Sequence, residues 1–256
     1  MNSSRIGLLF AAGFVAGLMN SIAGGGTIVS FPALILAGIS SITANATSTV
    51  ALLPGTLAGV LGYRQLLPKV WKWIRAFALV SLIGGLIGGI LLTKTPEPLF
   101  DRLVPFLILF ATILFTAQPL FTRLFRLEAA QSISPRWFWL AIIFQTLVSI
   151  YGGYFGAGIG ILMLASLGIL GFKDIHEMNA VKNALAFLIN VVAAVYFIAR
   201  GLIDWPAAGI LAIGAIAGGF SGAHFSQKLP QKRVRACITS IGLIISAAMF
   251  YKQLRA

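Results

Sequence analysis

Residues 20–32 read Asn20-Ser21-Ile22-Ala23-Gly24-Gly25-Gly26-Thr27-Ile28-Val29-Ser30-Phe31-Pro32. They interrupt an apolar run from residue 6 to residue 37 that is too long for one straight span. A helix rises 1.5 Å per residue, so an unbroken one would overshoot a hydrocarbon layer of about 30 Å by roughly half its thickness. Glycines in the middle offer a place to break. The same construction returns at 137–172, where Gly152-Gly153, Gly156 and Gly158 interrupt a second overlong run. Each run is expected to be a broken helix or a pair of short helices meeting at the glycines. Six further stretches, 42–62, 76–93, 103–122, 178–199, 203–226 and 234–251, have the length and apolarity of ordinary membrane spans.

Composition supports a membrane protein. Of 256 residues, 59% are apolar and 10% charged, with a mean hydropathy of +0.96; soluble domains are roughly 45–50% apolar and 25% charged. Nineteen Lys and Arg against six Asp and Glu give a net charge of +13. The basic residues sit between apolar stretches, as loops facing an anionic leaflet do, so the expected partner is the lipid bilayer and not nucleic acid. The single cysteine, Cys237, excludes an internal disulfide and a cysteine-ligated metal cluster. Arg5, the apolar run behind it and Ala23 imitate a secretory signal. The pattern recurs at residue 137 and the run continues past the supposed cleavage site, so it is read as membrane structure. The ends are too short for a soluble domain.

The chain also repeats itself. Asn45-Ala46 falls on Asn179-Ala180 (179 − 45 = 134), and the same offset sets Ala58 on Val192, Gly84-Gly85 on Gly218-Gly219 and Gly88 on Gly222. At the breaks the offset is 132, with Gly24 on Gly156 and Gly26 on Gly158 (158 − 26 = 132). Interrupted segments at matching places in two copies point to a transporter and to its binding site. If each broken element crosses once, the basic residues outside the spans divide 11 to 7. If each returns to its starting side, they divide 12 to 6, and Lys228, Lys232, Arg233 and Arg235 join Lys69, Lys72 and Arg75 on one side. Hairpins leave an odd number of crossings per copy. The expected fold is therefore an all-α polytopic membrane helix bundle of two inverted repeats, 1–127 and 128–256, each with one glycine-broken hairpin-like element plus three spans.

Gly13-Phe14-Val15-Ala16-Gly17, Ala23-Gly24-Gly25-Gly26-Thr27, Phe31-Pro32-Ala33-Leu34 and Asn45-Ala46-Thr47-Ser48 together resemble the first half of the sulfite exporter TauE/SafE family of membrane permeases. Asn179-Ala180-Val181-Lys182-Asn183, Gly201-Leu202-Ile203-Asp204-Trp205 and Gly218-Gly219-Phe220-Ser221-Gly222-Ala223 are similar to its second half. The resemblance covers nearly the whole chain and rests on the order of the motifs more than on any one. It implies transport of sulfur oxyanions or organosulfonates, often outward.

The chemistry-bearing residues narrow the mechanism. All six acids, Glu97, Asp101, Glu128, Asp174, Glu177 and Asp204, lie in loops or at span ends, which argues against a buried carboxylate relay or sodium site. His176 and His224 form neither metal-ligand spacing nor a nucleophile–base pair, so they read as interfacial side chains and no catalytic residue is expected. Lys182 lies inside a span, where it either snorkels to the headgroups or faces a polar cavity. Asn179, Lys182, Asn183 and Asn190 recur at helical intervals and share one face, and the aligned Asn45, Ser48, Thr49 and Thr56 form a matching stripe. Half-helices starting after Gly24, Gly25 and Gly26, and after Gly156 and Gly158, would aim amide N–H groups at an anion. Thr27 would add a hydroxyl there and Lys182 a full charge. Gly84, Gly85, Gly88, Gly89, Gly218 and Gly222 have the small-residue spacing of helix packing, and Trp71, Trp73, Trp137, Trp139 and Trp205 that of interface anchors.

The expected activity is movement of a small anion across the plasma (inner) membrane by alternating access, driven outward by the membrane potential, without cofactor, metal or enzymatic step. An anion channel is the main rival, and a membrane-embedded enzyme or assembly factor the lesser one. A homo-oligomer is compatible with the sequence.

Overall fold

The computed structural model describes residues 2–22, 25–128, 135–172, 174–225 and 231–255. They form ten helices: α1 (Ser3–Ile22), α2 (Thr27–Leu36), α3 (Ser41–Gly62), α4 (Leu67–Lys94), α5 (Glu97–Glu128), α6 (Pro135–Tyr154), α7 (Ile159–Ile169), α8 (Ile175–Ala199), α9 (Trp205–Phe225) and α10 (Gln231–Arg255). Both overlong runs break at their glycines. The first becomes α1 and α2, and the second α6 and α7. The short partners, of 10 and 11 residues, reach only about 15 Å, half a hydrocarbon layer.

Each pair is a hairpin. The Arg5 guanidinium at the start of α1 lies 3.5 Å from where a Cβ of Gly38 would stand, just past α2. The chain therefore comes back to the level at which it began. In the second pair the Trp73 ring meets both Phe138 at the start of α6 (6.5 Å) and Phe172 just past α7 (5.2 Å). Among the described residues, five helices, α1, α3, α4, α5 and α8, are long and apolar enough to cross a membrane. Large apolar side chains face outward from many helices, among them Leu36, Leu79, Ile113, Leu147, Ile213 and Phe220. Lipid is the solvent that suits such a surface.

Glycine pairs four residues apart act as packing surfaces. Gly13 and Gly17 on α1 interlock with Gly214 and Gly218 on α9, so that a Cβ at any of the four would strike a backbone carbonyl opposite. Gly84 and Gly88 on α4 meet α6 in the same way. The main pairings, α1 with α9 and α4 with α6, α4 with α8 and α3 with α9, α3 with α8, and α5 with α10, are preserved when the two halves of the chain are exchanged. Two of them join equivalent helices, and both run antiparallel. Thr47 of α3 lies beside Asp204 just past α8, while Gly59 lies beside Asn183 near the start of α8. Along α5 and α10, Phe106 faces Phe250 and Thr116 faces Thr239.

Several element ends differ from the sequence expectation. Helix α4 starts at Leu67, with Pro68 at its N-terminus, so Lys69, Lys72 and Arg75 stand in its first turns and not in a loop. Their exposed side chains place charge at the membrane surface while the helix continues inward. Helix α8 starts at Ile175 because Asp174 caps it, accepting from the His176 N–H at 2.8 Å. Exposed Trp71, Trp139 and Trp205 fit an interfacial place. The side chains of Trp137, His224, Cys237 and the basic residues of 228–235 lie outside the description.

Candidate functional site

The hairpin turns are built to bring backbone into a confined space. Gly25 adopts φ +94° and Gly158 φ +80°, conformations that cost an L side chain roughly 1–2 kcal/mol. A Cβ at Gly26 would lie 2.6 Å from the Ala16 carbonyl oxygen, so the turn closes tightly on α1. The Gly26 N–H donates to Asn20 Oδ1 at 2.8 Å, and the Tyr151 hydroxyl donates to the Ala157 carbonyl at 2.7 Å. Neither α2 nor α7 has a side-chain N-cap; glycines, Gly26 and Gly158, occupy both positions. Gly24 lies outside the described residues.

Between the turns lies a cavity of about 880 Å³. Gly25 and Thr27 from the first break and Gly156 and Gly158 from the second line it, together with Thr49 and Thr56 of α3 and Asn179, Lys182, Asn183 and Asn190 of α8. The α8 stripe thus faces one space as its helical periodicity predicts. Only half of the α3 stripe does. Asn45 and Ser48 are buried outside it, at 1% and 0% exposure. Ser48 shares a 2.6 Å hydrogen bond with Ser30 of α2, and the Asn45 Nδ2 donates to the Tyr154 carbonyl at 2.9 Å. Gly26 is buried beside the cavity without lining it. Asn20 is a lining residue that the sequence analysis missed; its signal was an amide one turn ahead of the glycine triplet.

Lys182 faces the cavity and not the headgroups. Its Nζ donates to Asn179 Oδ1 at 2.9 Å, and its aliphatic chain crosses the first turn of α7. A Cβ at Gly160 would lie 3.2 Å from Lys182 Cδ, so glycine there makes room for the lysine. Asn183 Nδ2 donates to the Gly59 carbonyl at 3.2 Å, tying α8 to α3. No carboxylate lines the cavity among the described residues. Three acids instead hold helix N-termini: Glu97 Oε1 accepts from the Ser41 N–H (3.1 Å), Asp174 caps α8, and Asp204 Oδ1 accepts from the Ala207 N–H (3.0 Å). Among the described residues no His, Cys, Asp and Glu group of three could hold a metal ion.

The cavity reaches Gly62 and Tyr63 at the end of α3, and at its other end the fully buried rings of Phe31, Phe100 and Phe155 close it. Phe155 lines it from that closed end and packs edge-on against Phe31 at 5.4 Å, with Phe100 at 6.5 Å. Behind them Leu9, Leu34, Ala44, Leu92 and Phe197 are fully buried. Polar atoms, two hairpins and one lysine therefore meet in a half-open chamber inside an apolar bundle.

The family model described as Sulfite exporter TauE/SafE matches residues 9–249. The chain belongs to that family. It is similar to a "Probable membrane transporter protein" of Haemophilus influenzae, 26% identical over 97% of this chain and 95% of the relative. It is likewise similar to "Probable membrane transporter protein ORF9" of a Sinorhizobium species, 26% identical over 94% of this chain and 90% of that one. "Probable membrane transporter protein YfcA" of Escherichia coli is 24% identical over 96% of this chain and 90% of the relative. No solved structure matches. This member of the TauE/SafE family is a multi-pass membrane protein of a transporter family, not an enzyme.

Proposed function

We propose that the chain carries a small anion, a sulfur oxyanion or organosulfonate, outward across the plasma membrane by alternating access of two inverted halves, 1–127 and 128–256. The observation that carries this reading is Lys182 between two glycine-capped helix starts, in a cavity that no carboxylate lines among the described residues. Each helix start presents the positive end of a helix dipole, and Lys182 adds one full positive charge. Thr27, Thr49 and Thr56 add hydroxyls, and the asparagines add amide donors.

The antiparallel course of α3 along α8 and of α5 along α10 supports the inversion. A two-fold axis that exchanges equivalent antiparallel spans must lie in the membrane plane. Hairpins that return to their starting side put Arg64, Lys69, Lys72 and Arg75 on the basic, cytoplasmic side, and the cavity reaches that side at Gly62 and Tyr63. The aromatic closure at Phe31, Phe100 and Phe155 favours alternating access over a continuous conduit. A membrane potential contributes about 2.3 kcal/mol per charge per 100 mV to anion exit.

The test is flux from proteoliposomes loaded with sulfite, thiosulfate, sulfoacetate or a simple carboxylate. Exit of at least one sulfur-containing anion, accelerated by an inside-negative potential, is expected. Exit indifferent to potential refutes electrogenic export, and failure of every anion to move refutes the substrate class.

A further inference from the structure

The two asparagines that begin the repeated Asn-Ala pair occupy opposite states. Asn45 is buried at 1% exposure and donates Nδ2 to the Tyr154 carbonyl at 2.9 Å. Tyr154 is the last residue of α6, so the first half grips the second half's hairpin on the sealed side of the cavity. The Asn45 Oδ1 is also buried and has no partner among the described residues, so the grip satisfies one end of the amide and leaves the other unsatisfied. That cost makes the closed side releasable. Asn179 lines the cavity and accepts from Lys182 Nζ at 2.9 Å.

The repeat registers supply the missing contact. Asn45 falls on Asn179 at an offset of 134, and Tyr154 falls on Ile22 at the offset of 132 that relates the breaks (154 − 132 = 22). Ile22 is the last residue of α1, as Tyr154 is of α6. The counterpart of the observed grip is therefore Asn179 Nδ2 on the Ile22 carbonyl, across the side that is open here.

We propose that Asn45 and Asn179 are reciprocal gate-positioning residues, and that Asn179 couples the anion to the gate. An anion's oxygens are stronger acceptors for the Lys182 ammonium than an amide oxygen is. When an anion takes that proton donor, Asn179 is released, turns to the Ile22 carbonyl and closes the open side. Asn45 then leaves Tyr154 and the sealed side opens. Both grips held together give the occluded intermediate. This rests on the halves being inverted copies and on Lys182 being the anion's partner.

Cysteine accessibility tests it. In a Cys237→Ser background, Ala58→Cys places a thiol in the cavity wall, and a membrane-impermeant maleimide is applied to sealed vesicles from either face. The reporter protein should label from the open face, and sulfite or taurine should slow that labelling. Without any anion, Asn45→Ala should raise labelling from the sealed face several-fold, whereas Asn179→Ala should lower it and raise labelling from the open face. Asn179→Asp, which keeps the acceptor for Lys182 and loses the donor for Ile22, should remain open-face labelled when sulfite or taurine is added. The proposal is overturned if the Asn45 and Asn179 variants shift labelling in the same direction or not at all. If Asn45→Ala does not fold, Asn179→Asp alone decides, because closure with anion as in the reporter protein overturns the pair. Opposite anion-free shifts combined with no effect of sulfite or taurine would instead strike the anion reading and leave the gate pair standing.

Discussion

Replacing Lys182 by methionine removes the one full charge that lines the cavity among the described residues while keeping an unbranched chain over Gly160. A Cβ on Gly160 would stand 3.2 Å from Lys182 Cδ, so the channel for that chain is narrow and methionine occupies it without new atoms near the backbone. At about 3 Å and an effective dielectric of about 20, an ammonium and a monoanion attract by about 5 kcal/mol before desolvation. Hydrogen bonds to charged groups retain about 1.5–3 kcal/mol net. The variant should therefore bind the transported anion roughly 10- to 150-fold more weakly. Binding is not abolished, because the starts of α2 and α7 remain, each contributing about 0.3–1 kcal/mol. Isothermal titration of the purified protein with sulfite or taurine at fixed ionic strength measures it, and the unliganded melting temperature reports whether the fold survives. Lys182→Arg should recover part of the loss. A Lys182→Met protein that melts normally and binds as tightly as the parent would refute the assignment of the charge to the substrate.

Gly218→Ala should lower the melting temperature, since its methyl would strike the Phe14 carbonyl and force α1 from α9, an overpacking cost of about 1–3 kcal/mol. Gly209→Ala, on the same helix with nothing within 4 Å, should leave melting unchanged or raise it; equal losses in both would remove the packing explanation. Gly158→Ala has ordinary room around its new methyl but must hold φ +80°, so thermal unfolding should show roughly 1–2 kcal/mol lost to backbone strain. Glu97→Ala removes the acceptor for the Ser41 N–H and should cost about 1 kcal/mol of stability while anion affinity stays constant. A changed affinity would mean that this carboxylate reaches the transport path.

The breaks were legible because length is a hard constraint: a mostly apolar run of 32 residues with a glycine triplet inside cannot cross a bilayer as one rod. The shared face of Asn179, Lys182, Asn183 and Asn190 was legible because 3.6-residue periodicity survives any tertiary arrangement. The α3 stripe was half legible for a reason that no periodicity carries. Ser48 and Lys182 are equivalent in the repeat, but α2 offers Ser48 a hydroxyl at Ser30, and the matching position in α7 is Leu162 (30 + 132 = 162). Ser48 is thereby held inside the packing, while Lys182 turns to the cavity and Asn179. The interlock of Gly13 and Gly17 with Gly214 and Gly218 was hidden in the same way. Each pair shows small-residue spacing, but only the fold reveals that α1 and α9 are partners.

On the proposed reading, the distribution of charge ties the fold to a transport cycle. Glu97, Asp174 and Asp204 neutralise helix starts near the membrane surface, and no carboxylate among the described residues lines the cavity beside Lys182. In the open state water reaches the ammonium through the cavity. Closing that side on an empty site would strip the water and leave a buried cation beside two positive helix ends, a cost of several kcal/mol. An anion removes that cost by pairing with the ammonium as the water leaves. The loaded form thus closes more readily than the empty one, and the same pairing takes the Lys182 proton donor away from Asn179. On that reading, a lysine in a cavity that no carboxylate lines among the described residues is therefore enough to make passage depend on cargo.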